Sequence, residues 1–297
     1  MGRAANQSAA KRRISREVSY PLLLVSLLAV SGVAGLYFGV IRTGIGQSLD
    51  QAAYDGRISV GSKAAIQARQ MLGIISTGSL AVAIVVVATV AAIQGRWRLA
   101  VLAIGVIGSA VLATEFLKLI ALERPDLGVS PGAANSYPSG HATICMAIGL
   151  GLLLVVPDPL RIPTGIFAIA LGAAAGTAVV AVGWHRPSDV IGSNLVSLAA
   201  AAGFFGLFLT IFPDELRQDR AGEDAAEARR SADRLEIGAA LVTILGLIAV
   251  AAFALARHRD GIRLTDDLNR FVFTAIALTL SSSLSVFALS WARARRV

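Results

Sequence analysis

The chain has 297 residues, of which 55% are hydrophobic and only 15% are charged. Together with a mean hydropathy of +0.69, this composition excludes an ordinary soluble domain and indicates an integral membrane protein. The net charge of +8 is attributed to basic residues that set the membrane topology and contact anionic lipid headgroups. No nucleic-acid partner is predicted.

Eight apolar stretches are candidates for membrane-spanning helices, which need about 20 residues each. They occupy residues 20–41, 71–94, 99–121, 141–156, 163–184, 189–212, 236–256 and 270–292. Backbone polar groups in lipid must pair within the segment, so helices are predicted and not strands. The fourth stretch is the shortest. The first is interpreted as a retained anchor, since no clean cleavage site follows it.

Basic residues are distributed unevenly between the loops. Residues 1–19 form a basic tail that we expect to be disordered, and residues 213–235 form a charged linker after the sixth span. With both termini in the cytoplasm, more than half of the 27 Lys and Arg residues lie on cytoplasmic segments, which agrees with the positive-inside rule. We therefore predict a plasma-membrane protein with cytoplasmic N- and C-termini.

Three other stretches have structural interpretations. Within the first external loop, 42–70, the stretch "IGQSLDQAAYDGRI" is a candidate for a short interfacial helix with a weak hydrophobic face. The glycines of "GAAAG", Gly172–Gly176, favour close helix packing. Ser281, Ser282 and Ser283 are expected to hydrogen-bond to the helix backbone or to a neighbouring helix.

Polar residues form three clusters that this topology places on the external side. They are Lys118 with Arg124 and Pro125 at the end of the third span, Ser139 with Gly140 and His141 at the opening of the fourth, and His185 with Arg186 and Asp189 between the fifth and sixth. Two of the three histidines lie in these clusters. We therefore predict one shared site.

The basic and glycine-containing clusters are suited to binding a polyanion. Arg124 can bind phosphate through two donors and Lys118 as a point charge. Ser139 and Gly140 precede a helix whose free N–H groups attract anions, and glycine lets the backbone approach closely.

The histidines and the aspartate are suited to phosphoryl transfer. His185 is a candidate nucleophile or base, Asp189 can fix its tautomer, and His141 can protonate a leaving oxygen. Each residue alone has a simpler structural reading. Lys118 and Arg124 can extend to the headgroups, Ser139 can be an N-cap, and Asp189 can stabilise a helix start. Their combination favours a catalytic site.

The stretches "KLIALERP" (118–125), "PSGH" (138–141) and "HRPSD" (185–189) resemble the type 2 phosphatidic acid phosphatase (PAP2) family, or lipid phosphate phosphatases. The first two are interpreted as complete motifs and the third as the end of one. The resemblance implies an all-α membrane protein with a six-helix core over residues 20–212. Residues 236–297 would add two C-terminal transmembrane helices outside that core.

The resemblance also implies roles for the clustered residues. His185 would form a phosphohistidine, with Asp189 orienting it and His141 acting as the acid. Lys118, Arg124, Ser139 and Gly140 would hold the phosphoryl oxygens, with no metal and no cofactor.

One departure from the family pattern concerns its third motif. Ala178 and Val179 stand where the family has Ser-Arg, and losing one charged phosphate ligand costs on the order of 100- to 1,000-fold in rate. The substitutes that remain open are Arg186, Arg57, Lys63, Arg69, Arg259 and Arg263.

The predicted function is a membrane phosphatase acting on a lipid phosphate or pyrophosphate at the external face. The candidate substrates are polyprenyl pyrophosphate, phosphatidylglycerophosphate and phosphatidic acid. Two alternatives stay open: a phosphotransferase that uses the same site, and a non-catalytic protein that binds a lipid phosphate.

Overall fold

The computed structural model describes residues 2–129, 134–212 and 266–294. Throughout these ranges the regular structure is helical, with no strands, so the prediction of an all-α protein is confirmed. The helices are α1 Gly2–Leu36, α2 Gly44–Asp55, α3 Ser62–Ile74, α4 Thr77–Ile93, α5 Trp97–Phe116, α6 Gly140–Val155, α7 Arg161–Ala181, α8 Pro187–Ile211 and α9 Asp267–Ala294. Turns of π-helix extend α1 to Ile41 and α5 to Ala121.

Five of these helices are long and apolar enough to cross a membrane. The spans are Ser19–Ile41, Trp97–Ala121, Arg161–Ala181, Pro187–Ile211 and Asp267–Ala292. They coincide with the first, third, fifth, sixth and eighth predicted spans, so the chain is a multi-pass membrane protein. The predicted linker 213–235 and the predicted span 236–256 lie outside the described residues.

The second predicted span, 71–94, differs from a single straight helix. Helices α3 and α4 meet there at a bend of 60°, and together they count as one possible sixth span. The break arises because Ser76 caps α4. Its side chain accepts a hydrogen bond from the backbone N–H of Ser79, and the Ser79 hydroxyl accepts one from the backbone N–H of Ser76. This reciprocal cap starts a new helix within the apolar run.

The fourth predicted span is the 16-residue helix α6. At 1.5 Å per residue it is about 24 Å long, which is shorter than the hydrocarbon core of about 30 Å. Most of its side chains are buried among α5, α7 and α8. Its N-terminus is also buried, since Tyr137 and Ser139 have no exposed surface.

The N-terminal segment differs from the expected disordered tail, because α1 begins at Gly2 and continues into the first span. Between Arg3 and Tyr20 the sequence contains neither glycine nor proline and is rich in alanine and arginine. Such residues extend a helix that the membrane span has already nucleated.

The largest buried hydrophobic cluster of the described residues draws on α1 and on α4 to α9. Helix α1 packs mainly along α8. Val286, Leu289 and Ala292 of α9 belong to the same cluster. The last helix is therefore packed into the bundle, and the apolar pattern alone did not reveal this.

The prediction that "GAAAG" serves packing is confirmed. A Cβ atom at Gly176 would lie 2.6 Å from Val190 Cγ1 of α8, and one at Gly172 would lie 2.9 Å from both Met146 Sδ and Ser282 Oγ. Without side chains at these positions, α7 can approach α6, α8 and α9 closely.

The serines of α9 also behave as predicted. The side-chain amide of Asn194 donates to Ser281 Oγ at 3.1 Å and to Ser282 Oγ at 3.2 Å. The hydroxyls of Ser282 and Ser283 donate to backbone carbonyls one turn earlier. The two bonds from Asn194 join α8 to α9 inside the bundle.

The contact between Gly192 and the ring of Tyr137 gives a test of this packing. A Cβ at Gly192 would overlap that ring, which is fully buried and fixed by a bond from its hydroxyl to the Val33 carbonyl at 2.9 Å. We expect Gly192→Ala to lower the free energy of unfolding in detergent by about 1–3 kcal/mol. Gly108→Ala, which meets no atom within 4 Å, is the control and should not destabilise. Equal free energies of unfolding for the two variants would contradict this packing.

Candidate active site

The loop between α7 and α8 brings His185 next to Asp189. Gly183 has a φ of +79°, a left-handed conformation that glycine adopts without steric cost, and it turns the chain toward α8. Four residues separate the two side chains along the sequence, and His185 Nδ1 lies 3.3 Å from Asp189 Oδ2. The backbone N–H of Arg186 donates to the same oxygen at 3.0 Å. The carboxylate therefore holds Nδ1, and Nε2 is the ring nitrogen that does not contact Asp189.

The Asp189 carboxylate has two further partners from distant parts of the chain. The hydroxyl of Ser136 donates to Oδ2 at 2.6 Å, and Arg124 Nη2 donates to Oδ1 at 3.0 Å. The side chain of Asp189 is fully buried and that of Arg124 is only 4% exposed. This buried ion pair fixes the loop after α5 against the start of α8.

A second carboxylate, that of Asp50 on α2, lies beside this pair. It accepts hydrogen bonds from the backbone N–H of Ser188 at 3.0 Å and from its hydroxyl at 2.6 Å. Its Oδ2 lies 3.8 Å from Arg124 Nη1. Burial, and secondarily the charge of Asp189, raise the pKa of the Asp50 carboxyl. Asp50 thus caps the first turn of α8 and shares Arg124 with Asp189.

Helix α2 confirms the predicted short helix in the first loop, but its polar side faces the protein. The side chain of Gln47 is buried and donates to the carbonyls of Ile41 and Pro125 at 2.8 and 2.9 Å. Ile45 and Leu49 are instead 80% and 68% exposed. This orientation brings Asp50 into the site and turns the apolar residues outward, as suits a helix at a membrane interface.

The start of α6 is built around Ser139, which is its N-cap. Its hydroxyl accepts a bond from the backbone N–H of Ala142 at 3.5 Å, and its own N–H donates to the carbonyl of Asp189 at 3.1 Å. The hydroxyl of Ser193 donates to the carbonyl of Ser139 at 2.8 Å. The capping role considered from the sequence is therefore confirmed, and a phosphate-binding role for Ser139 stays a prediction.

Lys118 lies on the π-helical turn after α5 and points at the start of α6. Its Nζ forms an ion pair with Glu115 Oε1 at 2.7 Å. A Cβ added at Gly140 would lie 3.7 Å from Lys118 Nζ and 3.2 Å from Glu115 Oε1. The absence of a side chain at Gly140 gives the ion pair room against the helix terminus.

The interpretation of "KLIALERP" as a complete motif was wrong. Five residues separate Lys118 from Arg124, one fewer than in the family pattern Lys-x6-Arg-Pro. Lys118 lies on the turn of π-helix at Leu117–Ala121. It reaches the start of α6, although its spacing departs from the motif.

His141, the second residue of α6, completes the group. Its ring centroid lies 5.3 Å from that of Trp184, the residue before His185. Lys118 Nζ lies against Gly140, the first residue of the same helix. The three predicted clusters therefore meet at one end of the bundle, which we call the site end.

Sequence reasoning missed several residues of the site end: Asp50, Gln51, Glu115, Ser136 and Trp184. The sequence offered a signal for two of them, because Glu115 is one helical turn from Lys118 and Trp184 is adjacent to His185. Nothing in the sequence pattern indicated Asp50, which depends on how α2 folds back.

Val179, the position of the missing arginine, is fully buried in an apolar cluster with Leu72 and Ala142. Of the proposed substitutes, Arg186 donates to Gln51 Oε1 at 3.1 and 3.2 Å, and Arg57 pairs with Asp55 at 3.2 Å. Arg259 and Arg263 lie outside the described residues.

Metal binding has no candidate in the part of the chain that the structure describes, where no group of three or more His, Cys, Asp or Glu residues is arranged to hold an ion. A reaction without metal or cofactor stays a prediction of the resemblance.

Fold and site together define a multi-pass, all-α membrane protein with a histidine–aspartate pair and basic residues at one end of its bundle. Residues 73–213 match the family model of the PAP2 superfamily. Over these residues the chain is similar to this superfamily, and the resemblance is confirmed there. The matched segment contains all three motif stretches but not Asp50. It supports a phosphatase-type function on lipid phosphates in general terms. Neither the curated proteins nor the solved structures give a significant match.

The raised pKa of Asp50 predicts how this site responds to pH. The folded protein binds a proton at Asp50 more tightly than the unfolded chain does, so this carboxyl adds stability as the pH falls and loses it as the pH rises. As the pH falls from 8 to the ordinary carboxyl pKa of about 4, we expect the free energy of unfolding of the wild type to rise relative to that of Asp50→Asn. Unfolding midpoints in detergent measure this difference, and a difference that is constant or of opposite sign would contradict it.

Proposed function

We propose that the protein removes a phosphate from a lipid phosphate or pyrophosphate that enters from the external leaflet. The observation that carries this proposal is the contact of His185 Nδ1 with the buried carboxylate of Asp189 at 3.3 Å, with His141 close by. A protein that only binds anions has no need of such a pair. Polyprenyl pyrophosphate, phosphatidylglycerophosphate and phosphatidic acid are the substrates to test.

In the first step, the lone pair of His185 Nε2 forms a bond to phosphorus while the bond from phosphorus to the leaving oxygen breaks. His141 gives its proton to that oxygen, which cancels the negative charge that develops there as the alcohol or lipid phosphate departs. The imidazole becomes positively charged, and the negative charge of Asp189 stabilises it. The product is a phosphohistidine on His185.

In the second step, water attacks the phosphohistidine. His141, now neutral, takes a proton from the water as its oxygen bonds to phosphorus. The bond from phosphorus to His185 Nε2 breaks and inorganic phosphate leaves. Both histidines then return to their starting protonation states.

Arg124 and Lys118 are proposed to contact the phosphoryl oxygens. Arg124 Nε is buried and has no hydrogen-bond partner within the described part of the chain. A buried unpaired donor is costly, and a phosphate oxygen would satisfy it while Nη2 keeps its bond to Asp189. Lys118 would provide a point charge at the N-terminus of α6.

Phosphate release tests this mechanism. Purified protein in mixed micelles is given each candidate substrate with a chelator present. We expect His185→Ala to reduce the rate by more than about 1,000-fold, the scale typical for loss of a nucleophile. Thr210→Ala, at the other end of α8 and exposed, is the control and should retain the wild-type rate. Labelled substrate should give an acid-labile phosphoprotein with wild type and none with His185→Ala.

Two results would reject the mechanism. A rate that His185→Ala leaves unchanged would mean that another group attacks phosphorus. Phosphate release that stops in chelator and returns with added metal would reject a reaction without metal.

A second candidate function is non-catalytic binding of a lipid phosphate. The apolar residue Val179 and the ion pairs already made by Arg124 and Lys118 favour it. Protein that binds the candidate lipids but releases no phosphate from any of them would support this function instead.

A further inference from the structure

The side chains around the two histidines leave little unpaired positive charge for a phosphate. Each of the basic side chains nearest to them already has a protein partner. The pairs are Lys118 with Glu115, Arg124 with Asp189 and Asp50, Arg186 with Gln51, and Arg57 with Asp55. Beside the histidines, the two cations Lys118 and Arg124 thus face three carboxylates. A phosphate dianion placed there needs a further cation to balance it.

Arg69 on α3 is a cation that meets this need. Its side chain is exposed, and within the described ranges it makes no ion pair and no hydrogen bond. Its guanidinium carbon lies 5.9 Å from the ring centroid of Trp184, and that ring lies 5.3 Å from the ring of His141. One indole therefore separates Arg69 from the acid of the proposed reaction.

The position of Arg69 is fixed by the packing of α3. Leu72, one helical turn after Arg69, is fully buried and belongs to a cluster with Val179 of α7 and Ala142 of α6. Residues three apart on a helix share a face, so burying Leu72 turns Arg69 toward the site end. The apolar side chain at 179 thereby forms part of the surface that anchors α3.

We propose that Arg69 binds the phosphate of the lipid substrate at His185, an inference that rests on the proposed function for its substrate class. The guanidinium leaves the face of Trp184 and donates to the phosphoryl oxygens. A cation over an exposed indole is held weakly, whereas paired hydrogen bonds from arginine to phosphate are strong. Arg69 thus supplies from α3 the charge that α7 does not provide.

The first test compares kcat/KM for phosphate release from phosphatidic acid and a polyprenyl pyrophosphate. We expect Arg69→Ala to lower kcat/KM by about 100-fold, the lower end for a lost charged donor. Arg69→Lys should recover about tenfold, because it restores the charge but not the planar fork. Gln67→Ala removes an exposed side chain from the same helix and should stay within about twofold, because Gln67 lies two residues from Arg69 and so on the opposite face of α3.

The second test measures binding without catalysis. The chain has three tryptophans, so Trp97→Phe with Trp291→Phe leaves Trp184 as the only reporter. Titration with inorganic phosphate should change its fluorescence as Arg69 leaves the ring. Isothermal titration calorimetry, whose signal does not depend on Arg69, then compares the variants. We expect Arg69→Ala to weaken phosphate binding at least about tenfold, and Gln67→Ala to leave it unchanged.

The outcomes separate this inference from the proposed function. If His185→Ala abolishes activity while Arg69→Ala matches Gln67→Ala in both tests, the function stands and the role of Arg69 is rejected. If no substrate is hydrolysed but Arg69→Ala alone weakens phosphate binding, the role of Arg69 stands and the catalytic proposal fails.

Discussion

The site end depends on keeping the carboxylate of Asp189 charged inside a helical bundle. A buried carboxylate is stable only when donors surround it, and Asp189 receives hydrogen bonds or ion contacts from Arg124, Ser136, His185 and the backbone of Arg186. Removing one partner of such a pair typically costs about 3–5 kcal/mol. The need to satisfy this group therefore fixes the loop after α5, the loop before α6 and the start of α8 relative to one another.

That arrangement explains why the acidic residues of the site matter as much as the basic ones. Asp50 caps the first turn of α8 and shares Arg124 with Asp189, while Glu115 holds Lys118 against the start of α6. These carboxylates position the cations, but they also neutralise charge that a phosphate would otherwise use. The proposed role of Arg69, a cation from outside the motifs, would restore this balance of charge.

Much of the fold was predictable because the length of an apolar run limits what it can form in lipid. Five runs became the five long spans, and the grouping of His141, His185 and Lys118 at one end followed from their order along those spans. The exceptions have local causes. Ser76 divides the second run by capping α4, and α2 turns its polar side inward, which reverses the pattern expected of a soluble amphipathic helix.

The sequence by itself determined the spans, their order and the contact of His185 with Asp189, since that contact joins residues four positions apart around a helix start. Only the tertiary structure decided which charged side chains are already paired with each other. Arg124 and Asp189 are 65 residues apart, and Ser188 and Asp50 are 138 apart, so their pairing depends on how distant loops pack. Coulomb interactions act through space and fall off with distance, and no residue pattern along the chain records those distances.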